Sequence, residues 1–114
     1  MGEERFPSNQ RMSVQVMEYM DKHYNRPIHV NEISKVFHMN VYHISRMFKK
    51  QTGTTPYAYL TRVRINRSKH LLQNTDFPIN QIAEEVGFGN VNNYIRSFKI
   101  FTGTTPLRFR RNKM

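Results

Sequence analysis

Arg46 and Lys49 recur fifty residues later, at the same spacing, as Arg96 and Lys99. Tyr42 and Ser45 accompany the first pair and Asn92 and Ile95 the second, with His43 and Asn93 flanking. On a helix, positions 42, 45, 46 and 49 form one stripe, as do 92, 95, 96 and 99. Such a set suits the edges of base pairs. Arginine forks onto guanine O6 and N7, asparagine onto adenine N6 and N7, and an apolar group meets a thymine methyl. Ile95 stands out, because an exposed isoleucine gains nothing from water. Lys49, Lys50 and Lys99, with the hydroxyls of Thr54, Thr55, Thr104 and Thr105, suit phosphate oxygens. Each feature also has a plainer role. The stripes are equally those of solvated helix faces, the arginines have Glu32, Glu84 and Glu85 as alternative partners, and the threonines equally suit helix caps.

Other chemistry finds no residues to carry it. There is no cysteine, so disulfides, thiolate metal sites and thiol nucleophiles are excluded. His23, His29, His38, His43 and His70 show no metal-ligand spacing, and no glycine-rich phosphate loop or Ser/His/Asp set is present. The 8 acidic residues are scattered, with no carboxylate pair among them. The expectation is therefore a non-enzyme without cofactor or metal. Against those 8 acids stand 18 Lys and Arg, a net charge of +10 over 114 residues, which favours a polyanionic partner, chiefly nucleic acid. No apolar run reaches the ~18 residues of a membrane span. These properties predict a basic intracellular domain with no membrane partner.

The elements that must hold these residues follow from an internal repeat. Thr52-Gly53-Thr54-Thr55-Pro56 returns as Thr102-Gly103-Thr104-Thr105-Pro106, and Asn40, Val41 and Phe48 return as Asn90, Val91 and Phe98. Upstream the offset drops by one: Val30, Ile33 and Ser34 match Ile79, Ile82 and Ala83. A length change between Phe37 and Asn40 marks a turn there. Val30, Ile33, Val36 and Phe37 have helical spacing, as do Ile79, Ile82, Ala83 and Val86. Asn40 and Asn90 are natural N-caps for second helices, whose inward stripes are Ile44, Met47, Phe48 and Gln51, then Tyr94, Ser97, Phe98 and Phe101. Gly53 and Gly103 stop those helices. Each copy reads helix, short turn, helix.

Thr55-Pro56 opens a long helix with Tyr59, Leu60, Val63, Ile65, Leu71 and Leu72 as its apolar positions. Its Arg62, Arg64, Arg67 and Lys69 read mostly as a solvated face. Thr105-Pro106 opens a short last helix with Leu107 and Phe109. Met12, Val16, Met17, Met20 and Tyr24 mark a first one that stops before Arg26-Pro27. The prediction is an all-α fold of seven helices, forming two helix-turn-helix subdomains joined by a long central helix. Its domain covers 9–112 after a structureless lead, 1–8. Within it lie a first helix-turn-helix over 30–51, a connecting helix over 55–74, a second helix-turn-helix over 79–101 and a terminal helix over 105–111.

These residues resemble the DNA-binding domain of the AraC/XylS family of bacterial transcription regulators. The resemblance covers about residues 11–111. Its first motif is Ile33-Ser34, Ser45-Arg46-Met47-Phe48-Lys49-Lys50, Thr52-Gly53 and Pro56. Its second is Ile82-Ala83-Glu84-Glu85-Val86-Gly87-Phe88, Arg96-Ser97-Phe98-Lys99, Thr102-Gly103-Thr104-Thr105-Pro106 and Phe109-Arg110. The resemblance implies two recognition helices, about 41–51 and 91–101, entering successive major grooves of double-stranded DNA. Carried over by position, their base-reading residues are Tyr42, Ser45, Arg46, Asn92, Ile95 and Arg96. A connecting helix of about 18 residues is about 27 Å long, on the scale of the ~34 Å between successive grooves. The resemblance further implies the output part of a longer cytoplasmic regulator acting on the bacterial nucleoid. A sensor or receiver domain elsewhere in the protein, and RNA polymerase, are its implied partners. The competing reading is a basic structural or RNA-binding protein.

His43 and Asn93 depart from the tyrosine frequent in the family, and Ile44 and Tyr94 from its phenylalanine. Ile100 replaces a frequent basic residue, and the turn His38-Met39-Asn40 lacks the usual glycine.

Overall fold

The structure is a computed structural model that describes residues 8–112. Seven helices follow in order: α1 (Ser8–His23), α2 (Val30–Val36), α3 (Val41–Thr52), α4 (Pro56–Asn74), α5 (Ile79–Glu85), α6 (Val91–Thr102) and α7 (Pro106–Arg111). No strand occurs among the described residues, so the fold is all-α, as the periodicity predicts. Helix α1 begins at Ser8, the last residue of the segment read as a lead. The rest of that segment, 1–7, lies outside the described residues.

The chain forms two compact units. The first holds α1 and Ile28–Leu60. The second holds Tyr24–Pro27 and everything from Thr61 onward, so the division falls inside α4. In the first unit α1 and α2 pack on α3, burying Val16, Met20, Ile33, Ile44, Met47, Phe48 and Leu60. The Tyr59 ring meets Phe48 edge-on with centroids 5.9 Å apart, and its hydroxyl donates to Asp21 Oδ1 at 2.8 Å. In the second unit α6 packs between α5 and α7 over Ile65, Leu72, Ile82, Ala83, Val86, Phe88, Tyr94 and Phe98. The inward stripes of α3 and α6 are narrower than the spacing predicts: Gln51 and Phe101 are exposed. Both stand in the last turn of their helix, where the chain is about to leave the packed face.

The repeat is reproduced in backbone detail. Asn40 Oδ1 accepts from Tyr42 N at 2.8 Å and His43 N at 3.4 Å, and Asn90 Oδ1 accepts from Asn93 N at 3.0 Å. Both second helices stop at a left-handed glycine, Gly53 at φ 81° and Gly103 at φ 82°. The two inner turns share one pattern. Met39 N donates to Ser34 O and Phe88 N to Ala83 O, each spanning five residues, which closes a Schellman cap. That cap needs a left-handed residue. Gly87 supplies it at φ 99° and His38 at φ 55°. The residue inserted in the second copy, Gly89, lies just beyond, between Phe88 and Asn90.

On the face of α4 predicted to be mostly solvated, Arg62 and Arg67 are exposed and one residue departs from expectation. Arg64 is only 8% exposed. Its Nε donates to Tyr24 O at 2.8 Å and its Nη2 to Arg26 O at 3.0 Å, with the guanidinium 5.8 Å from the Phe88 ring centroid. Arg67 Nε donates to Tyr24 Oη at 3.0 Å. Arg110 does the same at the other end of α4, donating to Leu72 O, Phe77 O and Thr75 O at 3.1, 2.8 and 3.1 Å. Arg64 and Arg110 thus serve carbonyls at helix ends and loops.

Candidate nucleic-acid interface

With Ile44, Met47 and Phe48 turned into the core, α3 presents Tyr42, Arg46, Lys49 and Lys50 to solvent, Tyr42 at 75% exposure. Ser45 is half-buried beside them. With Tyr94 and Phe98 inward, α6 presents Asn92, Arg96 and Lys99, and Ile95 is half-buried. Neither helix contains a carboxylate, so nothing on it neutralises its own cations. The last-turn lysines also lie where the helix dipole favours positive charge.

The two copies then diverge. Ser45, Arg46, Lys49, Lys50 and Thr55 line one open hollow of about 390 Å³. The second unit has an apolar notch of about 490 Å³ lined by Ile79, Val91, Ile95, Thr105, Pro106 and Leu107, and the first unit has a smaller one of about 240 Å³ in which Val30, Pro56 and Tyr57 hold the repeat positions of Ile79, Pro106 and Leu107. Ile95 also packs against the core of its unit, so it is not the fully exposed side chain that its place in the stripe predicts.

The arginines differ as well. Neither turns to Glu32, Glu84 or Glu85. Arg96 Nη2 donates to Asn93 Oδ1 at 2.5 Å, whereas no such bond is formed by Arg46, which has His43 three residues back. Asn93 was legible only as a flanking residue, although its i−3 spacing from Arg96 carried the signal.

The threonines divide by position. Thr55 Oγ1 accepts from Ala58 N at 3.1 Å and Thr105 Oγ1 from Arg108 N at 3.2 Å, so both cap the following helix. Thr54 N and Thr104 N donate to Thr52 Oγ1 and Thr102 Oγ1, each at 3.2 Å, which holds the turn at both glycines. Thr54 and Thr104 are half-buried at that turn.

One buried group lies behind the α6 face. Tyr94 Oη is sealed in the core with no hydrogen-bond partner. Burial pushes this phenol up to about 12 from its ordinary 10.0, against smaller opposing effects of the Ser68 hydroxyl and the Arg110 charge.

A family model described as a helix-turn-helix domain matches residues 33–112. The chain belongs to the AraC/XylS family. This is a family of transcription regulators, and the chain is one of its DNA-binding domains. Among AraC/XylS relatives, the bifunctional transcriptional activator/DNA repair enzyme AdaA of Bacillus subtilis (strain 168) is 35% identical over 107 residues. These make up 94% of this chain and 50% of AdaA. The chain spans half or less of the curated relatives it matches. The C-terminal domain of AraT, a response regulator from Geobacillus stearothermophilus, superposes with a TM-score of 0.87 at 27% identity, over 97% of this chain and 90% of that one. The DNA-binding domain of the global transcriptional factor AdpA, solved in complex with a target DNA, shares the fold. Its TM-score is 0.82 at 21% identity, over 87% of this chain and 89% of that one. No described helix is long and apolar enough to cross a membrane.

Proposed function

We propose that this AraC/XylS domain reads duplex DNA in two halves, α3 in one major groove and α6 in the next. The observation that carries the reading is the duplicated, acid-free outward face: Arg46 and Lys49 on one helix, Arg96 and Lys99 on the other, each opposite a buried stripe. Tyr42, Ser45 and Arg46 read bases in one half, and Asn92, Ile95 and Arg96 in the other. Lys49, Lys50 and Lys99 neutralise phosphates, joined by the hydroxyls of Thr54, Thr55, Thr104 and Thr105 at the helix ends. Thr55 and Thr105 accept from an amide while capping, which leaves each hydroxyl proton available to a phosphate oxygen. The AdpA domain, which shares this fold, is bound to DNA in its own structure.

The domain is a binding module, and the work it does in the cytoplasm on the nucleoid is placement. In a protein built like its longer relatives, it delivers the state of a sensor or receiver domain to a promoter, within reach of RNA polymerase.

Selection from random duplex DNA at about physiological salt tests this, because non-specific binding is then suppressed. The expected product is two short motifs spaced by about one helical turn, ~10 bp. Arg46→Ala then relaxes one motif and Arg96→Ala the other, each costing about 1–3 kcal/mol. No enrichment, or variants that bind every sequence as the parent does, would sink the reading.

A further inference from the structure

The two repeats hold Arg46 and Arg96 differently, although the backbone around them is the same. Asn40 and Asn90 cap α3 and α6, and the third residue after each cap, His43 or Asn93, donates its amide to the cap oxygen at 3.4 or 3.0 Å. Arg46 and Arg96 follow three residues later. The side chain between cap and arginine is what changes. Asn93 offers an amide oxygen, and Arg96 Nη2 donates to it at 2.5 Å. His43 offers an imidazole, and among the described residues no hydrogen bond joins it to Arg46. The following turn differs too. Arg46 shares an open hollow with Lys49 and Lys50, beside Ser45 and Thr55. At the repeat position of Lys50 the second copy has Ile100, 74% exposed, so α6 has one cation fewer there.

These differences govern what each guanidinium does when the base before it is wrong. A guanidinium carries five N–H donors. Arg96 commits one to Asn93 and keeps enough for a bidentate fork onto guanine. Held in this way, it loses less side-chain freedom on meeting the right base. At a wrong base it has no fork to make, and moving to a phosphate would break its bond to Asn93. Arg46 has no such bond to break. It sits among lysines and hydroxyls that suit phosphate oxygens, so at a wrong base it exchanges one charge-assisted contact for another at little cost. We propose that the two halves of the DNA site are read with unequal stringency. The α6 half, where Asn93 holds Arg96, is strict. The α3 half, where Arg46 lies unheld among cations, is tolerant and supplies mainly affinity. Asn93 is then a positioning residue that acts on DNA through Arg96.

This inference rests on the proposed reading of DNA by both helices, and its test separates the two. The probe is the duplex recovered by selection, with each base pair substituted in turn. The costliest substitution in the half that relaxes in Arg96→Ala weakens binding about ten-fold or more, and the costliest in the other half less than about five-fold, the low end for a mismatched pair. Exchanging the flanking residues then moves the stringency. Asn93→His brings the α6 half down into the tolerant range. His43→Asn, which gives Arg46 the acceptor of its counterpart, lifts the α3 half out of it. In both variants the affinity for an unrelated duplex and the melting temperature stay with the parent, which a merely structural role of either residue would not allow.

Equal costs in the two halves, or a stricter α3 half, overturn the inference and leave reading by both helices intact. A strict α6 half that survives Asn93→His takes the positioning role from Asn93 and overturns it as well. A selection that returns no site removes the reading and the inequality together.

Discussion

At the residue scale, Arg46 and Arg96, the arginines proposed to read bases, differ in how far they are held in place by their own helix. Arg96 is held by Asn93 Oδ1, and Asn93 N is itself held by the Asn90 cap. A guanidinium aimed in advance loses less side-chain freedom on forking to a base. Asn93→Ala is therefore expected to weaken specific binding, while non-specific binding and melting temperature stay near the parent's. In an Arg96→Ala background the same change has almost no effect, so a double-mutant cycle reads the coupling directly. Additive losses would show that Asn93 acts on its own. Tyr94 gives a second prediction at this scale. Its hydroxyl is buried without a partner, so Tyr94→Phe removes a desolvation cost and is neutral or stabilising by up to about 1 kcal/mol. The sign of its pH dependence follows from the raised pKa. The unfolded phenol begins to ionise near 10.0 and the folded one near 12, so the unfolded state loses its proton first. The parent loses stability as pH climbs through that window, and Tyr94→Phe lacks this part of the loss. Unfolding curves of the two proteins at neutral pH and above pH 10 check both statements.

At the element scale, the two inner turns show why one backbone conformation accepts two different residues. His38 and Gly87 both stand at the left-handed position of a Schellman cap. A Cβ on Gly87 would lie 2.4 Å from Tyr24 O and 2.8 Å from Arg64 Nε, so glycine is demanded by close approach as well as by φ. Gly87→Ala is expected to cost about 2–4 kcal/mol, combining strain with overpacking. His38 meets only the conformational requirement and carries its strain. His38→Gly relieves a left-handed cost of about 1–2 kcal/mol against an entropic loss of about 0.5–1 kcal/mol. A net gain of about 0.5–1 kcal/mol should appear in denaturant unfolding. The missing glycine of the first turn thus marks a strained residue at the same cap position, while the second turn is longer by Gly89 beyond that cap.

At the scale of the molecule, the charge and its distribution act together. The chain carries +10, and the outward faces of α3 and α6 hold cations with no carboxylate on either helix. If Lys49 neutralises a phosphate, Lys49→Ala lowers affinity for all sequences alike and reduces the slope of log K against log salt by about 1. Binding titrations at several salt concentrations, on the selected site and on an unrelated duplex, measure this. A loss confined to the selected site would move Lys49 from phosphates to bases. Arg64 and Arg110 behave otherwise despite equal formal charge. Their guanidiniums are committed to backbone carbonyls, so their loss would register in stability ahead of DNA affinity.

The sequence by itself determined the seven helices, both Asn caps, the paired glycine stops and the outward stripes with their cations. Those features depend on residues at most five apart, a range over which periodicity and cap chemistry are read directly. The residues that resist such reading are those whose partners are distant. Arg64 looks solvated until Tyr24 and Arg26, about forty positions away, bring their carbonyls to it. Ile95 looks exposed until it packs against the core of its unit, beside a notch that Ile79 and Leu107 also line. Gly87 looks like any turn glycine until Tyr24 O fills the space where its Cβ would go. Local chemistry decides which backbone shape a segment takes, while burial and the pairing of polar groups depend on which distant segment arrives beside it, and only tertiary packing decides that.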